Sequence, residues 1–158
     1  MTPAKEIFVE IQKALKPITL LELIDLDRKQ FSQGKENNPG CFTAALIKYP
    51  TIQYESMVEQ VKEGTAAIEV ILYCKDGWMH QHQNTTDPNN GLTEIDLVDN
   101  IVEALEGLTG ESFTSLEQND EAENEISEDD LMSVRIGFTS KVYKTVNKKF
   151  TAKKLTIN

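Results

Sequence analysis

His80 and His82 stand two residues apart, with Asp76 and Asp87 nearby in the chain. If residues 78–82 are extended, both imidazoles point to one side and, with one carboxylate, could reach a metal ion. A solvated turn or strand carries the same pattern, so the expectation is no metal site and no cofactor. Asp25 and Asp27 form a DxD, which in some transferases holds a nucleotide-bound metal. Nothing phosphate-binding accompanies it, and a charged strand end beside Arg28 accounts for the pair. There is no GxxxxGK[ST], no GxGxxG between strand and helix, and no GxSxG elbow. None of the many acids has an apolar context that would raise its pKa for acid-base work. No catalytic residue is assigned. Trp78, beside Met79 and just after the Asp76-Gly77 turn signal, has the chemistry of an interface anchor, though a partly covered surface aromatic fits as well.

The charges are grouped by sign. Residues 1–75 carry nine Lys or Arg and ten Asp or Glu, residues 76–134 carry none and sixteen, and residues 135–158 carry seven and none. Unlike patches steer association and fix register more than they add affinity, so this arrangement points to an assembly part before an enzyme. A soluble acidic coat with a solvated lysine tail is the plainer account. With a net charge of −10, the body would repel phosphates everywhere but at its C-terminal block, so no sequence-specific nucleic-acid binding is expected.

At 158 residues the chain is long enough for one domain with its own core. No apolar run reaches the ~18 residues of a membrane span, and no basic start precedes an apolar segment. A soluble, unexported protein without membrane partners is expected. Cys41 and Cys74 lie in predicted strands without CxxC spacing, which suits buried thiols in a reducing compartment. Asn84-Thr85-Thr86 fits a glycosylation acceptor by letter only.

The elements that must position these residues are legible from periodicity. Thr2 can cap a helix from Pro3 to Lys16, with Ile7, Ile11, Ala14 and Leu15 inward. Ile18–Asp27 reads as a strand, with helix as the alternative. The turn cluster from Gln33 to Gly40 makes Cys41–Tyr49 its hairpin partner, closed by Pro50. Tyr54–Glu63 fits either a short helix or a loop. Ala66–Lys75 is the strongest strand signal. Glu94–Glu106 reads as a helix: Thr93 and Asp96 have capping-box spacing, Ile95, Val98, Ile101, Val102 and Leu105 form the buried stripe, and Gly107 ends it. Its outer face carries Asp96, Asp99, Glu103 and Glu106 with no lysine, so like charges there oppose the helix. Ser112–Leu116 and Leu131–Thr139 read as antiparallel partners flanking the acidic segment.

The sum is an α+β fold: a mostly antiparallel sheet with two main helices packed on one face. The expected organisation is one domain over 1–140, with a mobile acidic loop at about 117–130, and a basic strand or extension over 141–158. The lysines of that last part could also serve as edge-strand protection.

Pro39-Gly40-Cys41-Phe42-Thr43-Ala44-Ala45-Leu46-Ile47, then the strand Ala66–Cys74, then Leu97 through the helix to Gly107-Leu108-Thr109-Gly110-Glu111-Ser112-Phe113, resembles tailed-phage tail terminator and tail-completion proteins of the minor tail protein U type. The resemblance covers residues 3–140 as an order of elements, and the extension from Lys141 to Asn158 goes beyond it. It implies a non-enzymatic subunit of a ring, a hexamer, that stops tail-tube growth and joins the head connector, assembled in the cytoplasm and carried in the virion tail. Tail-tube and head-connector proteins are then the implied partners. On that reading Lys141, Lys144, Lys148, Lys149, Lys153, Lys154 and Trp78 are candidate subunit or partner contacts. Asp96, Asp99, Glu103 and Glu106 are a candidate acidic partner face or lumen wall, where negative charge would keep DNA from adhering. A small binding or adaptor module unrelated to phage is the alternative, and a metal-dependent enzyme the third.

Overall fold

Helix α1 (Pro3–Leu15) begins where Thr2, in extended conformation, accepts a hydrogen bond from the Lys5 N–H and Pro3 takes a position that needs no amide hydrogen. Its Ile7, Ile11 and Leu15 are fully buried. The computed structural model describes residues 1–31, 43–58, 60–75, 91–123 and 131–147. Trp78, His80, His82, Asp76, Asp87, Cys41, Lys148, Lys149, Lys153 and Lys154 lie outside them.

Six strands are described: β1 (Leu23–Leu26), β2 (Thr43–Ile47), β3 (Thr51–Val58), β4 (Val61–Lys75), β5 (Glu117–Glu123) and β6 (Leu131–Thr145), with helix α2 (Thr93–Leu105) between β4 and β5. Their order is β1-β2-β4-β6-β5, with β3 on β4 beyond β2. All pairs are antiparallel except β1 with β2. Alternation along β4 sends Ala66, Ile68, Val70, Leu72 and Cys74 toward the helices, where they meet Ala45 and Ile47 of β2, Ile136 and Phe138 of β6, and the buried stripes of α1 and α2. Both helices therefore cover one face, as the α+β reading requires. On the other face Phe31 packs on Ala44, Leu46 and Tyr73, its ring 4.7 Å from that of Tyr73.

Several local expectations change. The segment from Ile18 folds into turns before a short β1, and β1 runs parallel to β2 instead of forming a hairpin with it. The reason is visible at Phe31: after β1 the chain is anchored on the far face of the sheet, so it does not turn back at the edge. Tyr54–Glu63 is neither helix nor loop. It belongs to a hairpin of β3 and the start of β4. Pro50, lacking an N–H, separates β2 from β3, which follow one another along the same side of β4 with one extra residue at the break.

At α2 the cap is Leu92, without a side-chain cap bond, because Thr93 is already helical and cannot hold the extended conformation that capping needs. Glu94, one turn before Leu97 and Val98, takes the inward place at 3 % exposure, whereas Ile95 is 59 % exposed. Gly107 ends the helix at φ 79°, a left-handed value that suits glycine.

The acidic segment is the largest correction. Over Glu117–Glu123 it is strand β5, paired with β6, and the expected partner Ser112–Leu116 makes only an isolated bridge, Phe113 to Val142. High charge is compatible with a strand at an edge, where both faces meet water and the strand's own charges discourage further pairing. Residues 124–130 lie outside the described set. β6 crosses 140/141 without a break.

Candidate assembly surfaces

β4 and β6 have 15 residues each, so at ~3.3 Å per residue they span about 50 Å. Each helix, with 13 residues, covers only about 20 Å at 1.5 Å per residue. The sheet is therefore longer than the helices, and β3, the first residues of β4 and β6 from Lys141 onward form its three-stranded end, the arm, where Val142 is buried against Phe113 and Tyr143, Lys144 and Thr145 share a cleft with the start of α1.

Lys141 and Lys144 lie on this arm, and strand alternation sends them to opposite faces. Lys141 reaches Glu63 at 3.5 Å, and the Tyr143 hydroxyl lies 3.5 Å from the same carboxylate. Lys144 sits over the ring of Tyr54, 5.7 Å from its centre, and opposite Lys62 in the ladder. Val58 pairs with Val61, and the Val146 N–H donates to the Gln60 carbonyl, so exposed Met57, Val58 and Val146 all lie at the tip, with Val58 on the Lys141 face, opposite to Lys62 and Lys144.

The predicted acidic face of α2 is exposed at Asp96, Asp99, Glu103 and Glu106. Glu106 is also engaged within the fold, where its carboxylate accepts the Gln118 N–H at 2.7 Å and fixes the entry to β5. Beside this face a groove of about 450 Å³ runs between the end of α1 and α2, lined by Ala14, Ile18, Leu20, Asn100, Glu103 and Ala104 among others.

Two polar clusters escape the sequence reading. On the face away from the helices, Glu69 of β4 binds Lys48 and, at 3.2 Å, Arg135 of β6, which also pairs with Asp120 of β5 at 2.5 Å. Burial alone would raise the Glu69 pKa, but the hydrogen bonds and charges of Lys48 and Arg135 outweigh it and hold the carboxyl below its ordinary range. The clue was Glu69 itself, the one charge within the apolar run from Ala66 to Cys74. On α1, buried Glu6 accepts the N–H groups of Glu111 (2.5 Å) and Ser112 (3.2 Å) and the Ser112 hydroxyl. Burial again pushes its pKa up, and these donors prevail and lower it. A glutamate at a helical position three residues past a proline gave no sign of a partner more than 100 residues away.

Among the described residues, the Asp25 and Asp27 pair that suggested chemistry has structural partners. Asp25 pairs with Arg28 at 2.9 Å and accepts the Leu26 N–H, while Asp27 accepts the Lys29 N–H. Burial and the nearby Glu94 push the Cys74 thiol up to about 12, against a lowering hydrogen bond with Thr43, so it stays protonated and inert at neutral pH. Among the described residues no group of His, Cys, Asp and Glu could hold a metal ion, and no helix is long and apolar enough to cross a membrane.

These features define a class by architecture: a six-stranded, mostly antiparallel sheet with two helices on one face, a three-stranded arm, and an acid-flanked groove. The fold is similar to that of a chain from a structure described as the virion of a native gene transfer agent (GTA) particle, with TM-score 0.60 and 12 % identity over 89 % of this chain and 96 % of that one. No protein-family model matches the sequence. No curated protein matches it either.

Proposed function

We propose that the protein is a non-enzymatic structural part of a phage or prophage particle, the ring subunit that terminates the tail tube or joins it to the head. The observation that carries this reading is the fold likeness to a virion chain, which extends over nearly the whole of both chains. It agrees with the tail-terminator resemblance of the 97–113 region. There Gly107, Gly110 and buried Phe113 build the connection from α2 to the sheet. Separated surface charges support assembly as well. Head-to-tail contacts in a ring use two different patches per subunit, and this chain has an acidic α2 face and a lysine-bearing arm.

The test is disruption of the gene in the phage or prophage that carries it, followed by electron microscopy of the lysate. Tails of uncontrolled length or unjoined heads and tails are expected, with joining restored by added purified protein. Tails of normal length bearing heads in its absence would refute the proposal.

A further inference from the structure

The arm carries surface features that its own fold does not explain. Of the ten exposed large apolar side chains among the described residues, Tyr54, Met57, Val58, Tyr143 and Val146 lie on it. Met57 and Val58, at 57 % and 63 % exposure, sit at its tip. On the helix-side face Lys62 and Lys144 are direct cross-strand neighbours, a like-charge placement that weakens a sheet. Among the described residues neither has an ion-pair partner, in contrast to Lys141 on the opposite face.

The body offers the complementary surface. The groove between α1 and α2 is floored by Ala14, Ile18 and Ala104, with Leu20 at 56 % exposure on its rim. Glu103 lines it, and Asp99 stands one turn before Glu103 on the same helix. Arm and groove lie toward opposite ends of α1: the cleft beside the arm is lined by Thr2, Pro3 and Glu6, whereas the groove is lined by Ala14 and residues 17–20. A 13-residue helix is about 20 Å long. One copy cannot fill its own groove with its own arm tip.

We propose that the groove receives the arm tip of a second copy of this chain, with Met57 and Val146 against Ala14, Ile18 and Leu20, and with Lys62 and Lys144 facing Asp99 and Glu103. This rests on the reading that copies of the chain assemble, and it names the two patches that meet. Such a contact is heterologous, so each copy keeps one free arm and one free groove until a ring closes.

The experiment is sedimentation of the full chain at low salt, comparing wild type, a tip variant (M57D with V146D) and a groove variant (L20D with E103K). Thermal melts by circular dichroism confirm that each variant folds, as expected for exposed positions. Wild type should associate with increasing concentration, and each variant alone should remain monomeric, its dissociation constant raised roughly 30-fold or more as for loss of a central contact. An equimolar mixture of the two variants should form a dimer and nothing larger, because one intact arm and one intact groove remain. Combining K144E and E103K in one chain should restore part of the association that either removes alone. A groove variant that associates like wild type, or folded variants that stay monomeric when mixed, overturn the contact while the tail-end reading stands. A wild-type chain that is monomeric at every concentration also overturns it and leaves the arm to a different protein; the particle experiment then decides the tail-end reading separately.

Discussion

At the scale of single residues, Glu6 and Gly110 decide how the chain returns from α2 to the sheet. A Cβ on Gly110 would stand 2.2 Å from the Phe113 ring and 2.6 Å from a Glu6 carboxylate oxygen. Gly110→Ala must therefore displace a buried aromatic or break the Glu6 clamp, at a cost of about 1–3 kcal/mol for an overpacked site. Urea unfolding checks this, and a midpoint within error of wild type would contradict it. Glu6 answers a second question, that of acid stability. Its folded-state pKa is below the unfolded value, so its contribution is fully present above the ordinary glutamate pKa and fades as pH falls through the lower folded value. Glu6→Gln places an amide NH2 among three donors and loses charge-assisted bonds, so it should cost about 2 kcal/mol at pH 7. As pH falls from about 4, the ordinary glutamate range, and passes the lower folded value, the gap between variant and wild type should narrow and close. Unfolding curves at pH 7 and through the acid range provide the check; a gap that stays constant with pH would mean that folding leaves the Glu6 pKa unshifted.

At the scale of elements, β5 shows how far a side-chain network substitutes for hydrophobic burial. This strand is acidic and exposed, and it is held to β6 by ladder bonds, by Arg135 between Asp120 and Glu69, and by Glu106 at its start. These charges are a third to a half exposed, so their worth to global stability is under about 1 kcal/mol. Local order is a different matter. Arg135→Met should leave the melting temperature within a few degrees of wild type while hydrogen exchange of the 118–122 amides quickens several-fold, because edge strands open locally without global unfolding. Unchanged exchange would assign β5 to its backbone ladder alone. The same strand marks the limit of what the sequence discloses. Where burial is one-sided or complete, as in α1, Ala66–Lys75 and Leu131–Thr139, periodicity identifies the element and most inward residues. In β5 neither face is buried and no period exists to be read. The parallel β1–β2 pair was hidden for another reason: a turn-rich linker advertises a hairpin, whereas the anchoring of Phe31 on the far face is a long-range packing event. Glu94 and Ile95 exchange the inward place because nothing in their types reveals the rotation of α2 on the sheet. The acidic face of that helix was legible, and so were two lysines of the arm, but the groove and the apolar tip were not, since both are made by segments that meet only in the fold.

At the scale of the whole molecule, the blocks of charge become surfaces with different duties. Lys141 and Lys144 are strand residues, in register with Thr65 and Lys62, and Val142 between them is fully buried and bridged to Phe113. A chain ending at Ser140 would lose this whole side of the arm and should be destabilised by several kcal/mol, the combined cost of an emptied core position and a broken ladder. Its failure to assemble would say little about charge. A chain ending at Asn147 keeps every described strand and removes Lys148, Lys149, Lys153 and Lys154. If those lysines steer one copy toward the acidic face of another, this shorter chain should melt like the full one yet associate more slowly, with a shallower dependence of rate on ionic strength. At high salt the two rates should meet, because screening removes from the longer chain what truncation removes from the shorter. Stopped-flow light scattering across a salt series measures both slopes. Equal slopes would confine the electrostatic contact to the arm itself and leave the last lysines as solvated chain.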